Sequence, residues 1–136
     1  MNKLLFGCIL LIVVLYCSCL SFDSNPYKQG KNLYETNCQN CHQADGQALA
    51  GLIPPLAGSD YLVKNKDQLA CIIRHGLEGE ILVNGVTYNQ PMPANNLLTE
   101  IQIANIINYI NNEWGNKNGY TSYEDVIEKL KNCNVE

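Results

Sequence analysis

The sequence predicts a mainly α-helical domain with one small β-hairpin, preceded by a leader. Three patterns carry this reading. Ile103, Ile106, Ile107, Ile110 and Trp114 recur at helical spacing behind a Thr99–Gln102 capping-box pattern. Ile81-Leu82-Val83 and Val86-Thr87-Tyr88 flank Asn84-Gly85, the signature of a two-residue hairpin with a type I′ turn. The run Leu4 to Tyr16 is almost wholly apolar, and Lys3 is the only charge before Asp23. With 136 residues, 46 % of them apolar, the remainder suits one ordinary domain.

Taken in chain order, the leader comes first. Its apolar run has the length of a signal-peptide core and is shorter than the roughly 18 residues a spanning helix needs. Extension through Leu20 approaches that limit, so an uncleaved anchor is the alternative. Leu15-Tyr16-Cys17-Ser18-Cys19 resembles a lipobox, with Tyr16 departing from the usual aliphatic residue. We expect residues 1–19 to be a signal peptide of possible lipoprotein type, with lipid on Cys19, and 20–25 to be a tether. Export to the periplasm or the outer face of a membrane follows. Net charge is −4, and removal of Lys3 with the leader makes it −5. That balance argues against binding nucleic acid and favours a partner with a positive patch.

The first domain helix is expected from about Pro26 to Cys41, since Pro suits a helix start. A loop follows through Asp45-Gly46 and Gly51. A short helix from about Lys66 to His75, capped by Asn65, ends at Gly76. The hairpin then leads into a loop around Met92. The last core helix starts near Thr99 and stops at Gly115. Residues 26–116 make the domain. Residues 117–136 form an extension with one helix, begun by Ser122 and Asp125, whose apolar stripe is Val126, Ile127 and Leu130.

Seven cysteines narrow the chemistry. Cys38-Gln39-Asn40-Cys41-His42 is the attachment motif for c-type haem. Residues three and four apart share a helix face, so two thiols reach one haem while the imidazole reaches its iron. A thioredoxin-like dithiol would need a βαβ pattern, which is not seen, and a zinc site would need a second ligand pair, which is scattered. Cys71 and Cys133 are left over, and an oxidising compartment makes a disulfide between them a reasonable expectation.

Iron held this way needs a sixth ligand or an open position. Beyond the initiator and the motif histidine, only Met92 and His75 are available. Pro91 and Pro93 fix Met92 in an extended, rigid path. His75 sits where a helix dipole commonly recruits histidine. Met92 is the expected ligand; His75 and an open site are the alternatives.

The ordered motifs resemble those of class I cytochromes c, in particular small bacterial monohaem members, over residues 26 to 116. Gly30, Tyr34 and Cys38 keep that family's step of four along the first helix, and Ile106 and Tyr109 match its crossing helix. The resemblance implies a cytochrome c fold, with helices wrapped round one covalently bound haem. It implies Pro54 as the carbonyl that accepts the proton of His42, Leu56 against the haem face and Asn95 beside the Met92 sulfur. For Asn95 the alternative is an ordinary loop role. Tyr88 belongs either at the haem edge or at the surface. The function implied is one-electron transfer between redox proteins outside the cytoplasm, without catalysis by the chain itself. The alternatives are a haem-bearing electron-entry subunit of an oxidase, dehydrogenase or reductase, and a haem sensor.

Overall fold

The computed structural model describes residues 25–133. The signal-peptide and lipid expectations for residues 1–19, and nearly all of the tether, lie outside them. The elements in order are α1 (Lys28–Asn37), α2 (Gln39–His42), α3 (Asp60–Lys64), α4 (Leu69–His75), β1 (Ile81–Val83), β2 (Val86–Tyr88), α5 (Glu100–Asn112) and α6 (Tyr123–Lys131). The domain is mainly helical with a two-stranded hairpin, as expected.

Helix α1 starts where Asn25 Oδ1 accepts the Tyr27 amide at 2.8 Å. It turns Gly30 and Tyr34, four apart, into the core. The expected single helix to Cys41 is instead two, broken at Cys38. There φ widens to −125°, yet the Cys38 amide still bonds Tyr34 O and its carbonyl still accepts from Cys41 and His42. The break is therefore confined to one residue, and the turn bearing Cys41 and His42 stays intact.

The expected helix at Lys66–His75 is also corrected. It starts at Leu69, and a separate α3 precedes it. Asn65 closes α3, its amide and side chain both bonding Tyr61 O, and does not cap α4. Helix α3 is pinned to the hairpin turn by a reciprocal pair: Asp60 Oδ1 accepts the Asn84 amide at 2.7 Å, and Asn84 Oδ1 accepts the Asp60 amide at 3.0 Å. The hairpin has the expected register, Val83 opposite Val86, with positive φ at Asn84 and Gly85 as a type I′ turn requires.

Helix α5 begins at the Thr99–Gln102 capping box. It stops at Asn112, short of Trp114, which takes a φ of 52°. That turn folds the indole back onto Tyr34 and Tyr109, with ring centroids 5.1 and 5.4 Å away, and its Nε1 donates to Ala44 O at 3.0 Å. Tyr34 and Tyr109 themselves pack at 5.3 Å. Helices α1 and α5 cross at Gly30, where an added Cβ would fall 2.1 Å from Asn105 O and 2.7 Å from Tyr109 Cβ. Glycine is required there by space.

Asparagines bind the extension to α5. Asn108 Nδ2 donates to Thr121 O while its Oδ1 accepts the Thr121 amide, both at 2.8 Å. Asn112 Nδ2 donates to Gly119 O at 2.9 Å. Helix α6 opens with the expected Ser122–Asp125 capping box and buries Val126 completely. The expected disulfide between Cys71 and Cys133 joins the end of α6 to α4. Among the described residues no helix is long and apolar enough to cross a membrane.

Gly30→Ala should lower unfolding stability by about 1–3 kcal/mol, the range for forcing an extra carbon into a packed contact. Denaturant midpoints at unchanged m-value check this, with exposed Asn32→Ala as a control expected to stay within about 0.5 kcal/mol.

Candidate haem site

One cleft gathers the residues singled out in the sequence. It encloses about 1080 Å³ of empty space, its open mouth included. Helices α1 and α2 and the loop at 54–56 build one wall; α4, β1 and the Met92 loop build the other. Cys38, Cys41, His42, Pro54, Leu56, Met92 and Asn95 all line it. No Asp, Glu, Lys or Arg is among the lining residues. Such a cleft favours a flat apolar group and offers no counter-ion to a free charged ligand.

Cys38 and Cys41 are free thiols on one turn, Cys38 half-buried and Cys41 exposed. Burial pushes the Cys38 thiol up to about 11, with repulsion from Cys41 second, so it remains protonated. Desolvation lowers the proton affinity of His42 below its usual 6.5, and the Pro54 carbonyl acts in the opposite direction as a hydrogen-bond acceptor. His42 Nδ1 is buried and lacks a partner of good bond geometry. It is Pro54, not Pro55, that acts on the ring.

The turn carrying His42 is braced from below. Ala48 N donates to His42 O at 3.1 Å, while Leu56 N and Ala57 N both donate to Gly46 O. Tyr34 Oη donates to Gln43 O at 2.6 Å. Burial raises the Tyr34 phenol far above its usual range, so that proton stays in place.

Across the cleft, Met92 and Leu77 exchange both backbone bonds, at 2.8 and 3.0 Å. At Gly76, with φ at 83°, a Cβ would lie 2.5 Å from Met92 O. Asn95 N donates to Ile73 O at 3.0 Å, and its side chain reaches Asn37 Oδ1 at 3.4 Å. His75 is exposed and does not line the cleft.

Tyr88 departs from both expectations. It is buried, at 8 % exposure, and does not line the cleft. From the hairpin it is β1, through Ile81 and Val83, that lines the cleft. The sequence reading also missed Tyr61, which lines the cleft from α3, and Asn116. Asn116 Nδ2 donates to Leu56 O and Ile110 O, and its Oδ1 accepts the Gly58 amide. An Asn directly after a helix-stopping Gly was the available signal.

Two free thiols, an adjacent imidazole lining the same space and an apolar cleft fit haem c. The cytochrome c family profile matches residues 27–114, and the chain belongs to that family. It is 37 % identical over 90 residues to cytochrome c-552 of Thermus thermophilus, covering 63 % of this chain and 68 % of the relative. It is 34 % identical over 105 residues to the cytochrome c subunit of the quinone alcohol dehydrogenase of Gluconacetobacter polyoxogenes. There the match covers 75 % of this chain and 22 % of the relative. The cytochrome c subunit of gluconate 2-dehydrogenase from Pantoea cypripedii is 32 % identical over 90 residues, covering 64 % and 20 %. Against both dehydrogenase subunits the chain spans about a fifth of the relative's length. The protein is a c-type cytochrome: it binds covalently attached haem c and transfers electrons.

Cys38→Ala and Cys41→Ala should each leave a single thioether, moving the pyridine haemochrome α-band toward the one-vinyl position. The double variant should lose covalent haem, read as loss of haem stain on a denaturing gel.

Proposed function

We propose that this chain is a single-electron carrier whose haem is held through Cys38 and Cys41 and ligated by His42 and Met92. The observation that supports this most directly is placement: Met92 lines the same cleft as His42, and His75 does not. When bound, the haem iron supplies a one-electron Fe(III)/Fe(II) couple, with Met ligation raising its potential relative to two histidines. The chain's own residues do the rest. Pro54 orients the His42 ring through Nδ1 and raises its basicity as a ligand. Asn95 lines the same cleft as Met92, its amide donating to Asn37 Oδ1 at 3.4 Å. Leu56, Ile73, Val83 and Ile106 line the cleft and exclude water.

The family match supports electron carriage as the role of this domain. We read its setting as outside the cytoplasm, directed by the leader at 1–19, with lipid on Cys19 as the attachment. The seven-Cys inventory supports this reading, since the two cysteines outside the leader and the haem motif are joined in a disulfide. A second reading, the electron-entry subunit of a dehydrogenase, is supported by the likeness to two dehydrogenase cytochrome subunits.

Oxidised wild-type protein should show the weak near-infrared sulfur-to-iron band, and Met92→Ala should lose it; a band that survives the substitution removes Met92 as ligand. Extraction in mild detergent followed by pull-down separates the two settings. A free carrier should elute alone from the membrane fraction, whereas a subunit should elute with its catalytic partner.

A further inference from the structure

The extension beyond the family profile does more than cover the back of α5. It ties the two walls of the cleft together. At one end, Asn116 holds Leu56 O and the Gly58 amide on the His42 side. At the other, the Cys71–Cys133 disulfide fastens α6 to α4, seconded by Lys129 Nζ to Asp67 Oδ1 at 3.2 Å.

Helix α4 is where the Met92 loop hangs. Ile73 O accepts from Asn95 N, Leu77 exchanges two bonds with Met92, and Arg74 Nη1 donates to Asn96 O at 3.2 Å. Arg74 also pairs with Glu100 at the start of α5, at 3.1 Å. With only seven residues, α4 is too short to be stable alone. Its position depends on what it packs against, and that is α5 and α6. The disulfide spans a sequence separation of 62, a loop that includes the end of α4, the hairpin, Met92, α5 and most of the extension. A cross-link of that span removes many open arrangements of the intervening chain.

We infer that Cys71 and Cys133 are positioning residues for the sixth ligand: the disulfide-fastened extension holds α4, and through it Met92, against the iron. The inference rests on the Met92 ligation proposed above. Cutting the link frees α4 to move away from the haem with the Met92 loop still bonded to it. The haem remains on Cys38, Cys41 and His42, which lie on the other wall. The sixth position then opens more often, and an outside ligand competes for it in proportion to the open fraction.

The test is imidazole binding to the ferric protein. Wild type should show the sulfur-to-iron band and bind slowly. Cys71→Ser with Cys133→Ser should keep covalent haem and helical circular dichroism, yet bind imidazole about tenfold faster or tighter, as an opening raised about tenfold requires. Ile107→Ala, a core truncation outside the cleft, controls for general destabilisation and should bind at close to the wild-type rate. Should the double variant fail to fold, wild-type protein serves instead. Carbon monoxide binding to ascorbate-reduced protein with the disulfide intact is compared with binding after phosphine cleavage and thiol alkylation. Faster binding after cleavage supports the inference. Unchanged binding in either arm overturns it while leaving Met92 ligation standing. A wild type without the sulfur-to-iron band instead removes the ligation on which it rests.

Discussion

Helices α1 and α5 cross so closely at Gly30 that the carbonyl of Asn105 occupies the place of a side chain. Much else in the molecule is set by that crossing. One turn on, Tyr34 is forced between Tyr109 and Trp114, where it has no exposure at all. A further turn on, Cys38 and then His42 come to the edge of the cleft. A helix pair held one side chain further apart would leave the three rings loosely packed and the attachment turn without a fixed base. The close approach therefore converts a local sequence step of four into a fixed cofactor position.

The second constraint is that the cleft walls come from distant parts of the chain. On the histidine side, order is local: Ala48, Leu56 and Ala57 bond back to His42 and Gly46 within a short loop. On the methionine side, order is borrowed. The loop at 92–96 has no regular element of its own and takes its backbone partners from Ile73 and Leu77. Gly76 permits this, because any larger residue would press on the Met92 carbonyl. The His42 side is thus braced by its own loop with Trp114 and Asn116 added from beyond α5, and the Met92 loop is braced by Ile73 and Leu77.

Much of this was legible in the sequence, for reasons that differ by residue. The Cys38–Cys41–His42 spacing is a local chemical requirement, so it reads directly. The caps at Thr99 and Ser122 and the Asn84-Gly85 turn are also local, and all three formed as expected. Helix α3 was missed because its anchor is Asn84, 24 residues away, and no window of sequence displays that bond. Asn65 was assigned to the wrong helix because it bonds backward to Tyr61, four residues before it, where a cap pattern would have it bond forward. Tyr88 was misplaced because alternation along a strand gives a face but not which strand of the pair lies nearer the cleft. The role of Asn116 depends on three carbonyl and amide partners in two separate segments, and only the folded chain brings them together.

Asn116 also bears on where this protein can be cut or joined. The family profile ends at residue 114, which suggests a natural terminus for a minimal fragment. A fragment ending there would strand the Leu56 and Ile110 carbonyls and the Gly58 amide, all beside the cleft, with no partner but solvent. The border of shared ancestry and the border of the smallest self-sufficient piece therefore fall at different residues. Fusion proteins and shortened versions keep these bonds only if they carry the chain through Asn116.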